Sequence, residues 1–211
     1  MPRSGPSRAP RTGHEVRRTR TPWGTISRET VVDAAIKAVT SGNYEDMSIR
    51  SLAADLGVAP MTLYRHVRDK DDLLDEVVDR LLARVWKPTV SRSDWRAWII
   101  QAADKLRRFL VTSPVALYVY LRHPVVTPTA IRRMTAMLAV LRQGIGDEEK
   151  ARRAYAVIHA YTLGFAALEV ARSGWSSAET TVDEVTREVA AFISPRQFRD
   201  GLGYLLDGIA G

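Results

Sequence analysis

Cysteine is absent from the 211 residues. Disulfides, thiolate zinc sites, iron–sulfur clusters and cysteine nucleophiles are thereby excluded, and the absence fits a reducing cytoplasm. Long apolar runs are missing too. The longest stretch free of Asp, Glu, Lys and Arg runs from Ala154 to Leu168, 15 residues with His159 inside it. A bilayer crossing needs ~20, so no membrane span is expected. The basic N-terminus is followed by no apolar stretch, which argues against a secretory signal. No phosphate loop, nucleophile motif, His-x-x-x-His or paired-carboxylate pattern stands out. An all-α enzyme is therefore the weaker reading, and no cofactor is expected. No alternating strand pattern persists. What remains is 45% hydrophobic and 26% charged, the composition of a globular chain.

The net charge of +7 is unevenly placed. Residues 1–22 carry Arg3, Arg8, Arg11, Arg17, Arg18 and Arg20 against Glu15 alone, a balance of +5 that leaves +2 for the other 189 residues. This arm is too poor in apolar residues to fold by itself. A basic arm on a nearly neutral body reads as a polyanion contact, with Arg17, Arg18 and Arg20 nearest the first helix. A solubilising tail is the alternative.

Beyond the arm, helix follows helix. Val31, Ala34, Ala35, Ala38 and Val39 keep helical spacing behind a Ser27 cap, with Gly42-Asn43 as the stop. Ser48 caps a short helix carrying Ile49, Leu52, Ala53 and Leu56, and Gly57 ends it. Pro60 suits the first turn of a third helix, which the spacing of Leu63 and Val67 extends to about residue 67. Asp69 opens a fourth, whose apolar face runs from Leu73 to Val85. Lys87-Pro88 marks a domain boundary. Later helices begin at Asp94, at Ser113-Pro114, Thr127-Pro128 and Ser194-Pro195, where the hydroxyl is expected to accept from a first-turn amide, and at Asp147. Val182, Val185, Val189 and Phe192 mark another. The expected fold is all-α with about nine or ten helices: a basic arm (1–22), a first helical domain (23–86) and a second helical domain (87–211).

Residues 48–67 are the most informative. Two short helices meet at a glycine, and the outward side of the second collects Pro60, Met61, Thr62, Tyr64 and Arg65, with Arg68 and Lys70 just beyond. That is the layout of a helix-turn-helix whose second helix enters the major groove. A plain pair of core helices explains the apolar face but not the basic, aromatic outer one.

The stretch from Val31 to Leu82 resembles the N-terminal domain of the TetR family of bacterial repressors. Ser48-Ile49-Arg50-Ser51-Leu52-Ala53, Leu56-Gly57-Val58, Thr62-Leu63-Tyr64-Arg65-His66-Val67 and Lys70-Asp71-Asp72-Leu73-Leu74 carry the likeness. Trp95 onward, Arg122-His123-Pro124 and Thr162-Leu163-Gly164-Phe165 are similar to the ligand-binding half of its tetracycline-repressor class. The resemblance implies a three-helix DNA-binding domain, a ligand-binding and dimerisation domain, and a homodimeric cytoplasmic repressor released from a DNA operator by a small molecule. It places Arg50, Ala59, Pro60, Met61, Tyr64 and Arg65 at bases, and Ser48, Thr62, Tyr64, His66 and Lys70 at phosphates. Arg65 departs from relatives with an aromatic residue there, which bears on the operator sequence. A histidine placed like His123 ligates a drug-borne magnesium in the tetracycline-binding class. Here no metal is expected, since a histidine before Pro124 can equally end a helix.

Two further expectations come from the residues themselves. Ala151, Ala154, Ile158, Tyr161, Phe165 and Leu168 form a 3,4,3,4,3 seam suited to a partner helix. With Phe198, Leu202, Leu205 and Ile209 they are expected to build the dimer interface. Trp98, Tyr118, Tyr120, His123, Met137 and His159 are the expected walls of a pocket for a mostly apolar, aromatic effector. His159 also reads as an ordinary core histidine. A DNA-binding dimer without a ligand is the competing reading, and a cavity in the second half discriminates the two.

Overall fold

The computed structural model describes residues 26–41, 46–87, 94–173 and 192–210. Among them lie nine helices and no strand: α1 (Arg28–Thr40), α2 (Ile49–Leu56), α3 (Pro60–Leu63), α4 (Lys70–Val85), α5 (Trp95–Thr112), α6 (Pro114–Arg122), α7 (Pro128–Ile145), α8 (Glu148–Ser173) and α9 (Pro195–Ala210). The all-α expectation holds. The basic arm, the Gly42-Asn43 stop and the helix expected around Val182, Val185 and Val189 lie outside the described residues.

The caps explain most of the helix starts. Ser27 Oγ accepts from Thr30 N–H, and Asp69 from Asp72 N–H. Ser48 and Ser51 cap each other reciprocally at α2. Asp94 and Asp147 accept from Ala97 and Lys150 N–H. Of the three hydroxyl–proline pairs, only Ser194 caps as expected, taking Gln197 N–H at 3.1 Å. Ser113 and Thr127 make no side-chain cap bond; their carbonyls receive the first helical N–H groups, and proline removes one donor that needed a cap.

Two apolar clusters stack along the molecule. The first joins α1–α4 to α6 and the C-terminal half of α5, through Val31, Leu52, Leu63, Val77, Leu110 and Val119. The second fills the space between the start of α5 and α7, α8 and α9, around Trp98, Met137, Ile158 and Phe198. Packing therefore runs unbroken past the boundary expected at residue 86, because α4 rests on α6 and α7. Over Glu148–Arg172 the chain is long and apolar enough, by composition, to cross a membrane, contrary to the expectation from uncharged runs. Ala151, Ala154, Ile158, Phe165 and Ala166 explain part of that apolarity: they are buried in the chain's own core.

Candidate nucleic-acid interface and effector cavity

Gly57 ends α2 in the left-handed conformation (φ 70°), which turns the chain sharply into α3. Ala53 is fully buried, small enough for α2 and α3 to cross closely. Leu63 and Val67 are buried beneath the second helix, as the spacing implied. That helix is shorter than expected. It closes at Leu63, and His66 and Val67 N–H both turn back to the Leu63 carbonyl at 2.8 and 3.0 Å, a tightened final turn.

Arg28 of α1 fixes this turn. Its guanidinium bonds the His66 carbonyl, Asp72 at 3.3 Å, and Glu76. Asp72 also takes the Arg68 N–H and guanidinium. Burial works against the Asp72 charge, but these donors hold its carboxyl below the usual range. Arg80 ties α4 to Asp33 of α1 at 3.2 Å. The outward surface above this brace is exposed at Ser48, Arg50, Ala59, Pro60, Met61 (71%), Tyr64 (48%) and Arg65, with Thr62, His66 and Lys70 half-buried at its edge. Every base- and phosphate-contact candidate of the helix-turn-helix is thus at least partly open to solvent.

The pocket candidates separate. Tyr120 and His159 line a cavity of about 80 Å³, with Val125, Val126, Arg133 and Tyr155 among its other walls. Trp98 and Met137 lie instead in the second core cluster. Tyr118 lies at the surface under the Arg122 guanidinium. His123 ends α6 and faces Asp75 of α4, with 3.6 Å between Nε2 and a carboxylate oxygen. Within the cavity, Tyr155 and His159 stack at 5.6 Å with 10° between their planes. Burial, with Arg133 nearby, lowers His159 to about 4, so the imidazole is neutral near pH 7. Burial pushes the Tyr120 phenol up to about 12, leaving it a hydrogen-bond donor. Arg133 escaped the sequence reading. Its signal was present: Ala130, Arg133, Met137 and Val140 keep one helical face, and an arginine occupies a core slot on it.

The expected dimer seam faces inward. Ala151, Ala154, Ile158, Phe165, Phe198 and Leu202 are buried within the chain, and Tyr161 stacks on Phe198 at 5.3 Å. Leu205 and Ile209 pack against the same cluster. The heptad spacing served α5, α7 and α9 of the same chain. Leu168, the last residue of the expected seam, is the exception at 57% exposed, and it joins Val157 (45%), Ala160, Gly164 and Ala171 in an outer stripe on α8. A Cβ at Gly164 meets nothing within 4 Å, so the chain's own packing does not require that glycine. At Gly144, by contrast, a Cβ would lie 2.2 Å from the Trp95 ring.

The sequence matches the family "Bacterial regulatory proteins, tetR family" over residues 31–77 and "Tetracyclin repressor-like, C-terminal domain" over residues 87–211. It is 32% identical over 156 residues to the HTH-type transcriptional repressor DrrR1 of Streptomyces coeruleorubidus, covering 71% of this chain and 56% of that protein. The chain thus spans little more than half the length of that relative. Among solved structures, ActR of Streptomyces coelicolor in complex with (S)-DNPA superposes with a TM-score of 0.71 at 21% identity, covering 88% of this chain and 97% of that one. BioQ with its double-stranded DNA operator gives 0.66 at 25% identity, covering 88% and 98%.

Proposed function

Because the chain belongs to the TetR family of bacterial regulatory proteins, we propose that it is a homodimeric transcriptional repressor, released from a palindromic DNA operator by a small molecule. The observation that carries this reading is the exposed face of α2 and α3, braced from behind by Arg28 and the α4 carboxylates. Its chemistry suits base edges. Arg50 and Arg65 can each give two donors to a guanine, while Pro60 and Met61 can touch a thymine methyl. Ser48, Thr62, Tyr64, His66 and Lys70 supply phosphate contacts at the rim, and Arg17, Arg18 and Arg20 of the arm reach the adjacent groove or backbone.

Residues 23–86 serve as the DNA-binding domain, and residues 87–211 bind the effector and pair two chains in the cytoplasm. The stripe of Val157, Ala160, Gly164 and Leu168 on α8 is the pairing surface, since it is apolar, exposed and flattened by a glycine the chain itself does not need. Two-fold pairing presents two recognition helices, so the operator is two-fold symmetric. The cavity beside Tyr120 and His159 favours an effector over a ligand-independent dimer. Selection of duplexes from a random pool, combined with sedimentation of the free protein, tests this. A palindromic consensus and a micromolar dimer are expected. Equal affinity for selected and random duplexes, or a monomer at micromolar concentration, overturns it.

A further inference from the structure

Two arginines of the second domain are buried, and their surroundings differ. Arg107 bonds Asp104 at 2.9 Å and Glu169 at 2.6 Å, a buried cation with two carboxylates. Arg133 is 1% exposed; burial works against its charge, and what favours it are the phenols of Tyr155 and Tyr120 and a side-chain hydrogen bond to Tyr155, with no carboxylate among them. Its Nε and Nη2 have no hydrogen-bond partner among the described residues. The guanidinium carbon lies 5.4 Å from the centre of the Trp86 ring. An aromatic face offsets only part of the desolvation of a buried cation, which is strongly unfavourable without a counter-charge.

The same cavity collects more unsatisfied polar atoms. Tyr120 Oη and His159 Nδ1 are also buried without a partner among the described residues. Tyr120 of α6, Arg133 of α7 and His159 of α8, each with an unsatisfied buried polar atom, all contribute to the lining of a space of about 80 Å³. That volume holds an acid headgroup but not a drug-sized ligand, which fills a few hundred Å³. Around it stand Val125, Val126 and the parallel rings of Tyr155 and His159, surfaces for an aromatic body. Val126 is largely exposed, so the body can leave the headgroup site past it.

We propose that the cavity binds the carboxylate of an aromatic acid, with Arg133 as counter-charge, Tyr120 donating a further hydrogen bond, and the aromatic body extending past Val125 and Val126. The guanidinium fork matches a carboxylate with two parallel N–H···O bonds, and the low surrounding dielectric strengthens them. This rests on the effector reading above and narrows it: a neutral apolar ligand fills the space but leaves the charge uncompensated.

The test titrates the full chain by calorimetry with benzoate, 2-naphthoate and anthraquinone-2-carboxylate, each against its neutral carboxamide. Operator affinity is measured with each compound in parallel. The acids are expected to bind roughly tenfold to hundredfold more tightly than the amides, the range of a hydrogen bond to a charged group. Arg133→Met is expected to bring acid and amide within about twofold of each other, while Arg133→Lys, which keeps the charge but not the fork, keeps only part of the preference. Tyr120→Phe, which removes only a hydroxyl, is expected to weaken the acids and spare the amides. It keeps the proposal open to disproof if Arg133→Met does not fold. Amides that bind as well as acids, or an acid preference that survives in Arg133→Met, overturn the proposal while amide-driven operator release leaves the effector reading intact. Acids that bind selectively yet leave operator affinity unchanged uphold the site and overturn the effector reading. Competition by chloride as strong as by the acids marks an inorganic-anion site and overturns the proposal, as does failure of every compound to bind.

Discussion

Asp79 of α4 accepts two hydrogen bonds from a single residue of α7: the backbone N–H of Thr129 at 2.7 Å and its hydroxyl at 3.0 Å. One carboxylate thus fixes both the position and the rotation of the first turn of α7. Four residues further along, α7 carries Arg133, and α4 ends at Trp86, the ring on which that guanidinium rests. The cavity wall and α4 are therefore clamped at two points. Because α4 also braces α3 through Arg28, a ligand that displaces α7 is expected to shift the α2–α3 face as well.

Removing the first clamp tests this connection. Asp79→Ala leaves two donors of Thr129 without an acceptor and is expected to lower stability by about 1–3 kcal/mol, read by urea denaturation. The same variant is expected to retain effector binding while losing part of the drop in operator affinity that the effector causes. A full drop in the variant shows that the signal travels elsewhere.

At the DNA face, Arg50→Ala and Tyr64→Ala are each expected to cost ~1–3 kcal/mol and to relax selectivity at one position in each half-site. Fluorescence anisotropy on operators mutated one base pair at a time checks it. A uniform loss across all sequences assigns that residue to phosphates instead.

The two buried arginines are expected to respond in opposite ways. Arg107→Met removes the partner of Glu169 and leaves Asp104 with Arg108 at 3.1 Å, and is expected to destabilise by about 3 kcal/mol. Arg133→Met strands no carboxylate and replaces an uncompensated cation by an apolar chain of similar reach; it is expected to be neutral or stabilising. Denaturant midpoints of the two variants decide the matter.

His159 gives stability a pH dependence of known sign. The unfolded chain takes up a proton near the ordinary value of 6.5, whereas the folded imidazole, buried and beside Arg133, resists until about 4. The folded state binds fewer protons across that window, so stability falls as pH falls from 6.5 to 4. Asp75, whose carboxyl burial pushes above its usual value, contributes the opposite slope at the acid end of this range. The comparison is therefore between wild type and His159→Gln. The variant is expected to melt with a shallower loss over pH 6.5 to 4. Identical slopes count against a buried neutral histidine.

On the outer face of α8, Gly164→Arg introduces a side chain where the protein's own atoms leave open space. The fold is expected to survive, with an unchanged helical circular dichroism signal, while sedimentation shifts from dimer to monomer. A dimer that persists moves the pairing surface elsewhere.

Local signals were legible and relational ones were not. Caps such as Ser27, Ser48 and Asp69, the turn at Gly57 and the buried pair Leu63 and Val67 follow from near neighbours in the chain, and all are present as expected. The Ala151 to Phe165 seam shows the limit. Spacing marks that face of α8 as apolar, but not whether its neighbour is α5 of the same chain or α8 of another. The stripe left outside is built from Val157, Ala160, Gly164 and Leu168, whose two small residues weaken its signature. Trp98 and Met137 suggest pocket walls because they lie off the main seams, yet bulk off one seam packs against another element of the core. Arg133 was overlooked because charge on a helix ordinarily points to water.

The position of Trp86 has an optical consequence. Its indole lies edge-on to Trp98, with centroids 6.1 Å apart, and beneath the Arg133 guanidinium. A cation over an indole perturbs its excited state, so any anion that draws Arg133 away alters Trp86 emission. The chain holds 5 tryptophans, and subtracting the spectrum of Trp86→Phe isolates this one. Trp86, capping the C-terminus of α4, is thereby expected to report occupancy of the cavity in real time without a label.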